Sequence, residues 1–164
     1  MLALARWLSE TAASGFLRER DWLIPLLQTI HIIAIATVLS SVLMIDLRVL
    51  RLARAQSQSI ADAVGRFAAW IWGGLIVLAL SGAPLIVAEP RRTLPNPMFQ
   101  IKLTLLALAV AATIALLTCL RRNAGFREVS VKASGAARLL AVVTLALWCA
   151  VAVAGRFIAY TQPA

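Results

Sequence analysis

Charged residues are scarce in this chain. Asp, Glu, Lys and Arg make up only 14% of its 164 residues, whereas 62% are hydrophobic and the mean hydropathy index is +0.88. A soluble domain carries roughly 25% charged residues. A core of this size cannot hide so much apolar surface from water. The scarcity of charge therefore excludes an ordinary water-soluble domain and indicates a protein surrounded by lipid.

Motifs for nucleophilic and phosphate chemistry are absent as well. The sequence contains no GxSxG, HExxH, GxGxxG or Walker loop, and its apolar segments contain no pair of acids. Hydrolysis and phosphoryl transfer therefore have no candidate residues. Cys119 and Cys149 both lie in apolar segments and form no CxxC pair, which favours small apolar residues over a disulfide or a cysteine-ligated metal.

Four uncharged segments are long enough to cross a bilayer. They are residues 22–45, 67–88, 103–120 and 139–155. About 20 residues span the hydrocarbon as a helix, and the two shorter segments suffice if the flanking Lys102, Arg138 and Arg156 reach the interface. We therefore predict an all-α fold, an integral membrane four-helix bundle with helices at about 22–45, 67–88, 98–120 and 137–160.

Local signals mark the ends of these helices. Residues 1–20 are too charged to span and predict a short N-terminal interfacial helix, so that 1–164 form a single transmembrane domain. Ser59 and Asp62 have capping-box spacing before the second helix, and Asn96-Pro97 suits the start of the third. Residues 89–95 predict a rigid connector without helix.

Small residues recur in the apolar segments. Helices in lipid associate through close packing and polar contacts, for which small residues leave room. Alanine recurs every fourth residue in the third helix (Ala107, Ala111, Ala115) and in the fourth (Ala146, Ala150, Ala154). These stripes predict the faces that pack against neighbouring helices.

Basic residues set the expected orientation. The net charge is +9, but the Lys and Arg residues lie between apolar segments, which is typical of topology signals and lipid contacts rather than nucleic-acid binding. Nine fall in the loops after the first and third helices, and seven on the other side. The nine are Arg48, Arg51, Arg54, Arg66, Arg121, Arg122, Arg127, Lys132 and Arg138. The positive-inside rule therefore predicts both termini outside the cytoplasm.

His31 is the only histidine and lies in the first helix. At 1.5 Å per residue it is roughly 14 Å along that helix. Gln28 is one turn earlier on nearly the same face. An ionisable group at this depth predicts a functional site, and the alternative is a neutral imidazole bonded to a neighbouring helix, at Ser81 or a carbonyl.

Several polar residues lie at similar depth in the other helices. Because successive helices are antiparallel, Ser81 and Gly82 come close to the level of His31, and Lys102 and Arg156 lie toward the same side. A b-type haem would use the imidazole for its iron and cations for its propionates, whereas a quinone would use His31 as a donor. The candidate cofactor-binding residues are His31, Gln28, Ser81, Lys102 and Arg156, with His31 as candidate metal ligand.

A second haem ligand and a second intramembrane acid are both missing. The sixth iron position would fall to Met98, to a second protomer or to nothing. Asp46-Leu47-Arg48 ends the first helix and predicts an interfacial ion pair or a contact with lipid phosphates. A proton relay would need further acids inside the membrane.

The ordered set Ile30-His31, Asp46-Leu47-Arg48, Ser81-Gly82 and Asn96-Pro97-x-Phe99-x-x-Lys102 resembles a bacterial inner-membrane family classed only as a domain of unknown function. The resemblance implies four helices and a bacterial inner membrane, in which the outer side is the periplasm. The layout is also distantly similar to the copper-resistance D type and to haem-associated protoporphyrinogen oxidase membrane proteins. That likeness would make His31 a metal or haem ligand and Lys102 a structural or propionate-facing cation, although further histidines and a methionine-rich copper path are lacking.

Three functional hypotheses follow. The first is a membrane subunit without catalysis of its own, an anchor or accessory part of a redox system with a membrane protein partner or a second copy. The second is a b-type haem or quinone-binding electron-transfer protein that uses His31. The third is copper or small-solute transport. The lipid bilayer is the expected environment in all three, and no nucleic acid is expected.

Overall fold

Four long helices carry the fold. The computed structural model describes residues 2–50, 59–122, 133–158 and 160–161, and no strand occurs within these ranges. In chain order the helices are α1 Leu2–Ser9, α2 Ala12–Arg18, α3 Leu23–Val49, α4 Ile60–Ala88, α5 Pro90–Thr93, α6 Pro97–Arg122 and α7 Gly135–Phe157. Helices α3, α4, α6 and α7 are each long and apolar enough to cross a membrane. The prediction of an all-α membrane bundle with four spans is confirmed.

Part of the orientation prediction cannot be placed on this fold. Four of the basic residues that it counts, Arg51, Arg54, Arg127 and Lys132, lie outside the described residues, as does residue 159 within the predicted fourth helix. The sidedness of the termini therefore stays a prediction.

The capping box predicted for the second span is present. Ser59 Oγ accepts from the Asp62 N–H at 3.1 Å, and Asp62 Oδ2 accepts from the Ser59 N–H at 3.0 Å. These bonds satisfy N–H groups that have no partner inside the helix. Helix α4 therefore begins at Ile60, before the uncharged segment starts.

Asn96 joins two helices at the opposite end of the bundle. Its side chain is buried, and its Oδ1 accepts from the Met98 N–H at 2.9 Å, which confirms the predicted cap of α6. Oδ1 also accepts from Thr161 Oγ1 at 3.2 Å, and Nδ2 donates to the Thr161 carbonyl. One amide therefore begins α6 and holds the chain that follows α7.

The connector between α4 and α6 is not free of helix, so that prediction is wrong. Pro90–Thr93 form α5, with the Leu94 N–H bonded to the Pro90 carbonyl at 3.0 Å. Proline is compatible with the first turn of a helix because an N–H there would have no partner inside the helix.

The N-terminal residues form two short helices rather than one. Arg18 Nε, at the end of α2, donates to the Ala88 carbonyl at 2.7 Å, and Arg91 Nε donates to Ser9 Oγ at 3.1 Å. The first bond satisfies a carbonyl at the C-terminus of α4, where the helix dipole favours a cation. Helices α1 and α2 thus cover the end of the bundle at which α4 stops, and their place at the membrane interface stays a prediction.

The four spans pack as two antiparallel pairs. Helix α3 lies along α4, α6 lies along α7, and contacts of α3 with α7 join the pairs. The core between them includes Val42 and Ile45 of α3, Ile71 of α4, and Leu116 and Leu120 of α6.

The alanine stripe of α6 does not face a neighbouring helix of this chain. Ala107, Ala111 and Ala115 are exposed, whereas Thr113 and Leu116 are buried. Helix α6 turns its threonine inward because that hydroxyl is hydrogen-bonded inside the bundle. Alanine spacing alone therefore predicted the wrong face.

Helices α3 and α4 approach closely at Gly74. A Cβ added there would lie 2.5 Å from Val38 Cγ2 and 3.7 Å from the Ala34 carbonyl oxygen. Val38 is 0% exposed, and a valine in a helix has few other rotamers available. Gly73, the preceding residue, has nothing within 4 Å of such a Cβ.

These two glycines give a matched test of the packing. We expect Gly74→Ala to lower the free energy of unfolding by about 1–3 kcal/mol because it overpacks the α3–α4 contact. Gly73→Ala is expected to leave stability unchanged or raise it by up to about 1 kcal/mol, since alanine favours helix. Denaturant unfolding in detergent checks both variants, and equal stability of the two would contradict the close contact.

Candidate functional site

His31 of α3 is hydrogen-bonded to Ser81 of α4. The distance from Nδ1 to Oγ is 2.9 Å, and Ser81 is 3% exposed. Ser81 Oγ also lies 2.7 Å from the Val77 carbonyl, one turn earlier in α4. A hydroxyl has a single proton. When the Val77 carbonyl receives it, His31 Nδ1 donates to Ser81, and a neutral imidazole then carries its proton on Nδ1 and a lone pair on Nε2.

The second ring nitrogen of His31 is available. Nε2 makes no hydrogen bond within the described residues, yet it is not among their buried unpartnered atoms, so it reaches the surface of the bundle. The ring as a whole is half-buried. A neutral imidazole with one nitrogen held and the other free is the form that binds metal ions.

Gly82 allows the imidazole to lie against α4. A Cβ at this position would be 3.1 Å from His31 Cε1 and 3.6 Å from Nδ1. Such a contact is tighter than ordinary van der Waals packing. The absence of a side chain at Gly82 therefore helps to fix the orientation of the ring.

Lys102 of α6 is a half-buried cation near this site. Its side chain packs over Gly155 of α7, where an added Cβ would lie 3.5 Å from Cε and 3.6 Å from Nζ. Across the described part of the chain it has no hydrogen bond or ion pair, although it is close enough to His31 for a direct electrostatic interaction. His31 and Ser81 are thus in direct contact, whereas Lys102 interacts with His31 through its charge alone.

Two of the predicted site residues have no side-chain hydrogen bond to His31, Ser81 or Lys102 among the described residues. Gln28 is exposed on α3, and its side chain has no hydrogen bond to any residue that the structure describes. Arg156 is also exposed; its Nη2 donates to the Tyr160 hydroxyl at 3.2 Å, and its guanidinium lies 5.5 Å from the centre of that ring. Depth placed both residues near His31, but their side chains lie on outer faces of the bundle.

Asp46 was assigned by sequence to an interfacial ion pair, which does not form among the described residues. Asp46 is 0% exposed, and its Oδ1 and Oδ2 lie 3.2 and 3.1 Å from Thr144 Oγ1 of α7. Helix α3 continues to Val49, which keeps Asp46 inside the packed bundle. One signal was available, because Asp46 follows the buried Val38 and Val42 at a spacing of four residues.

A small cavity adjoins Asp46. It has a volume of about 10 Å³, and the polar residues around it are Asp46, Thr113 and Thr144. The rest of the lining is apolar and comprises Val42, Ile45, Ile71, Leu116 and Leu117. Trp148 Nε1 donates to Thr113 Oγ1 at 3.1 Å, and Thr113 Oγ1 donates to the Ala109 carbonyl at 2.8 Å. No motif in the sequence joins Asp46 to Thr113, Thr144 and Trp148, so this second polar site was not predicted.

A known family includes this chain. The family of unknown function DUF6644 matches residues 10–161, which cover all four spans and every polar residue of both sites. No curated protein and no solved structure matches the chain. The ordered motif and the distant likeness to copper-resistance and haem-associated proteins stay predictions. The match nevertheless covers most of the sequence, and the chain therefore belongs to DUF6644, as a multi-pass membrane protein of a family whose function is unknown.

Proposed function

We propose that this chain is a non-catalytic membrane subunit of a redox system and that it holds one b-type haem, with His31 Nε2 as ligand to the iron. The observation that carries the proposal is the 2.9 Å hydrogen bond between His31 and Ser81. In the proposed site Nδ1 carries the proton and donates it to Ser81, which leaves the lone pair of Nε2 for the iron. Metal-binding histidines are typically oriented in this way by a hydrogen bond from their other nitrogen.

One imidazole suits a haem better than a metal ion held by side chains alone. The described ranges contain no group of three His, Cys, Asp or Glu residues that could hold a metal ion. A porphyrin supplies its own equatorial nitrogens, so the protein contributes only axial ligands. This difference supports haem over a copper site.

Lys102 supports a cofactor that carries carboxylates. Cations inside a membrane are usually paired, and Lys102 has no ion pair within the residues that the structure describes. A haem propionate would supply the missing partner. Gly155 allows the lysine stem to lie across α7 toward the level of His31.

The tautomer of His31 argues against a quinone at this position. A quinone carbonyl needs a donor, whereas the imidazole with its proton on Nδ1 offers an acceptor at Nε2. A quinol hydroxyl could donate to Nε2, so the experiment must distinguish a bound quinol from a bound haem. Redox titration distinguishes the two because only haem gives a visible spectrum that changes on reduction.

The proposed iron site has one ligand from this chain, and its sixth position would be open or filled from outside. A second copy of the chain, or another membrane protein, would place a ligand there if it packed against the side of α3 that carries His31. This arrangement fits an accessory subunit, because the haem would be completed only in the assembled system.

The first test is the absorption spectrum of the protein purified in detergent after expression with a haem precursor. We expect a Soret band that disappears in His31→Ala and persists in Gln28→Ala, a matched control one turn away on the same helix. Both variants should elute like the wild type in gel filtration. A wild-type protein without the band, or a band unchanged in His31→Ala, would contradict haem binding at His31.

Ser81 should affect the affinity for haem and its midpoint potential without being a ligand to the iron. Ser81→Ala removes the acceptor for the Nδ1 proton, so we expect haem affinity to fall by about 10- to 100-fold, as when other groups that orient a metal ligand are removed. The midpoint potential should also shift in the protein that retains haem. An affinity and a potential identical to those of the wild type would show that the His31–Ser81 bond has no role in ligation.

We further propose that the protein lies in a bacterial inner membrane with both termini in the periplasm, supported by the basic loops after the first and third spans. Alkaline phosphatase fused to the C-terminus should then be active, and a cytoplasmic fluorescent reporter should be dark. Fusions placed after Arg122, which follow three spans, should give the reverse pattern. A fluorescent C-terminal fusion would invert the proposed topology.

A further inference from the structure

Asp46 has no described cation to balance a negative charge. Its carboxyl group is fully buried, and its hydrogen-bond partner in the described chain is Thr144. The other cavity-lining residues, from α3, α4, α6 and α7, are apolar or threonine, so no second ionisable group lines this space. Burying an unpaired carboxylate is far more costly than burying a neutral, hydrogen-bonded carboxyl.

The single hydroxyl proton of Thr144 bears on the protonation state of the Asp46 carboxyl group. Thr144 Oγ1 lies 2.8 Å from the Leu140 carbonyl and 3.0 Å from the Ala141 carbonyl. The two Asp46 oxygens, at 3.2 and 3.1 Å, are further acceptors within reach of the same hydroxyl. Because Thr144 has a single proton, it satisfies either a carbonyl or a carboxylate, whereas a protonated Asp46 that donates to Oγ1 leaves the threonine proton for the carbonyl.

The adjoining cavity is small and apolar. Its volume is about 10 Å³, and none of the polar atoms of its lining residues is exposed to it, whereas a buried water needs two to four polar partners. Thr113 accepts from Trp148 and donates to the Ala109 carbonyl. The space beside Asp46 therefore offers no further polar partner to its carboxyl group.

We propose that Asp46 and Thr144 form an intramembrane binding site for one proton. Asp46 holds the proton and donates it to Thr144 Oγ1, whose own proton goes to the Leu140 carbonyl. This site links α3 to α7 and is independent of the haem proposed at His31.

Infrared spectroscopy with labelled aspartate tests the site in the intact protein. The sequence has three aspartates, and Asp21 and Asp62 are exposed. Exposed carboxylates are ionised at neutral pH, so only Asp46 should give the carbonyl stretching band of a protonated carboxylic acid. We expect that band at neutral pH, shifted by the isotope label, lost in Asp46→Asn and retained in the matched variant Asp62→Asn.

One further variant tests the hydrogen bond of Asp46. Thr144→Val removes the acceptor, so the band of Asp46 should move to higher frequency, as expected for a weaker hydrogen bond. Asp46→Asn is expected to fold, because an amide has the same shape and can still donate to Thr144. Absence of an Asp46-dependent protonated band would overturn the proton site.

Discussion

Polar groups inside hydrocarbon must find partners within the protein, and the interior of this bundle is organised by that requirement. Three hydroxyl groups show how it acts. Ser81, Thr113 and Thr144 each donate a proton to the carbonyl one turn earlier in their own helix. Each oxygen also lies within hydrogen-bonding distance of a group on another helix. The partners are His31, Trp148 and Asp46 respectively. A hydroxyl that is bonded to its own helix thus takes part in every polar contact between helices in this set.

The number of membrane spans and the caps of two helices could be predicted because those signals are local. Uncharged runs gave the four spans, and the Ser59–Asp62 and Asn96 caps follow from side chains that bond to their own neighbours. Depth was equally accessible, since each residue advances by about 1.5 Å along a helix. That arithmetic brought His31 to the level of Ser81, where the structure shows a hydrogen bond.

Rotation of each helix about its axis could not be predicted in the same way. In a soluble protein the apolar face points inward, but here lipid accepts apolar side chains on every face, so hydropathy does not distinguish inside from outside. For this reason the depth of Gln28 and Arg156 could be predicted, whereas the exposure of both side chains could not. Asp46 was assigned to an interface because of its charge, although its spacing of four residues places it on the face of α3 that carries Val38 and Val42.

The contact between Val38 and Gly74 lies between the two polar sites of the bundle. Along α3, Val38 falls between His31 and Asp46, which are separated by about 22 Å at the rise of a helix. The methyl group of Val38 fills the space beside Gly74 so completely that a single added carbon would overlap it. The α3–α4 interface is therefore closed at this level. A molecule that passed between these two helices from one polar site to the other would first have to separate α3 from α4 at Gly74.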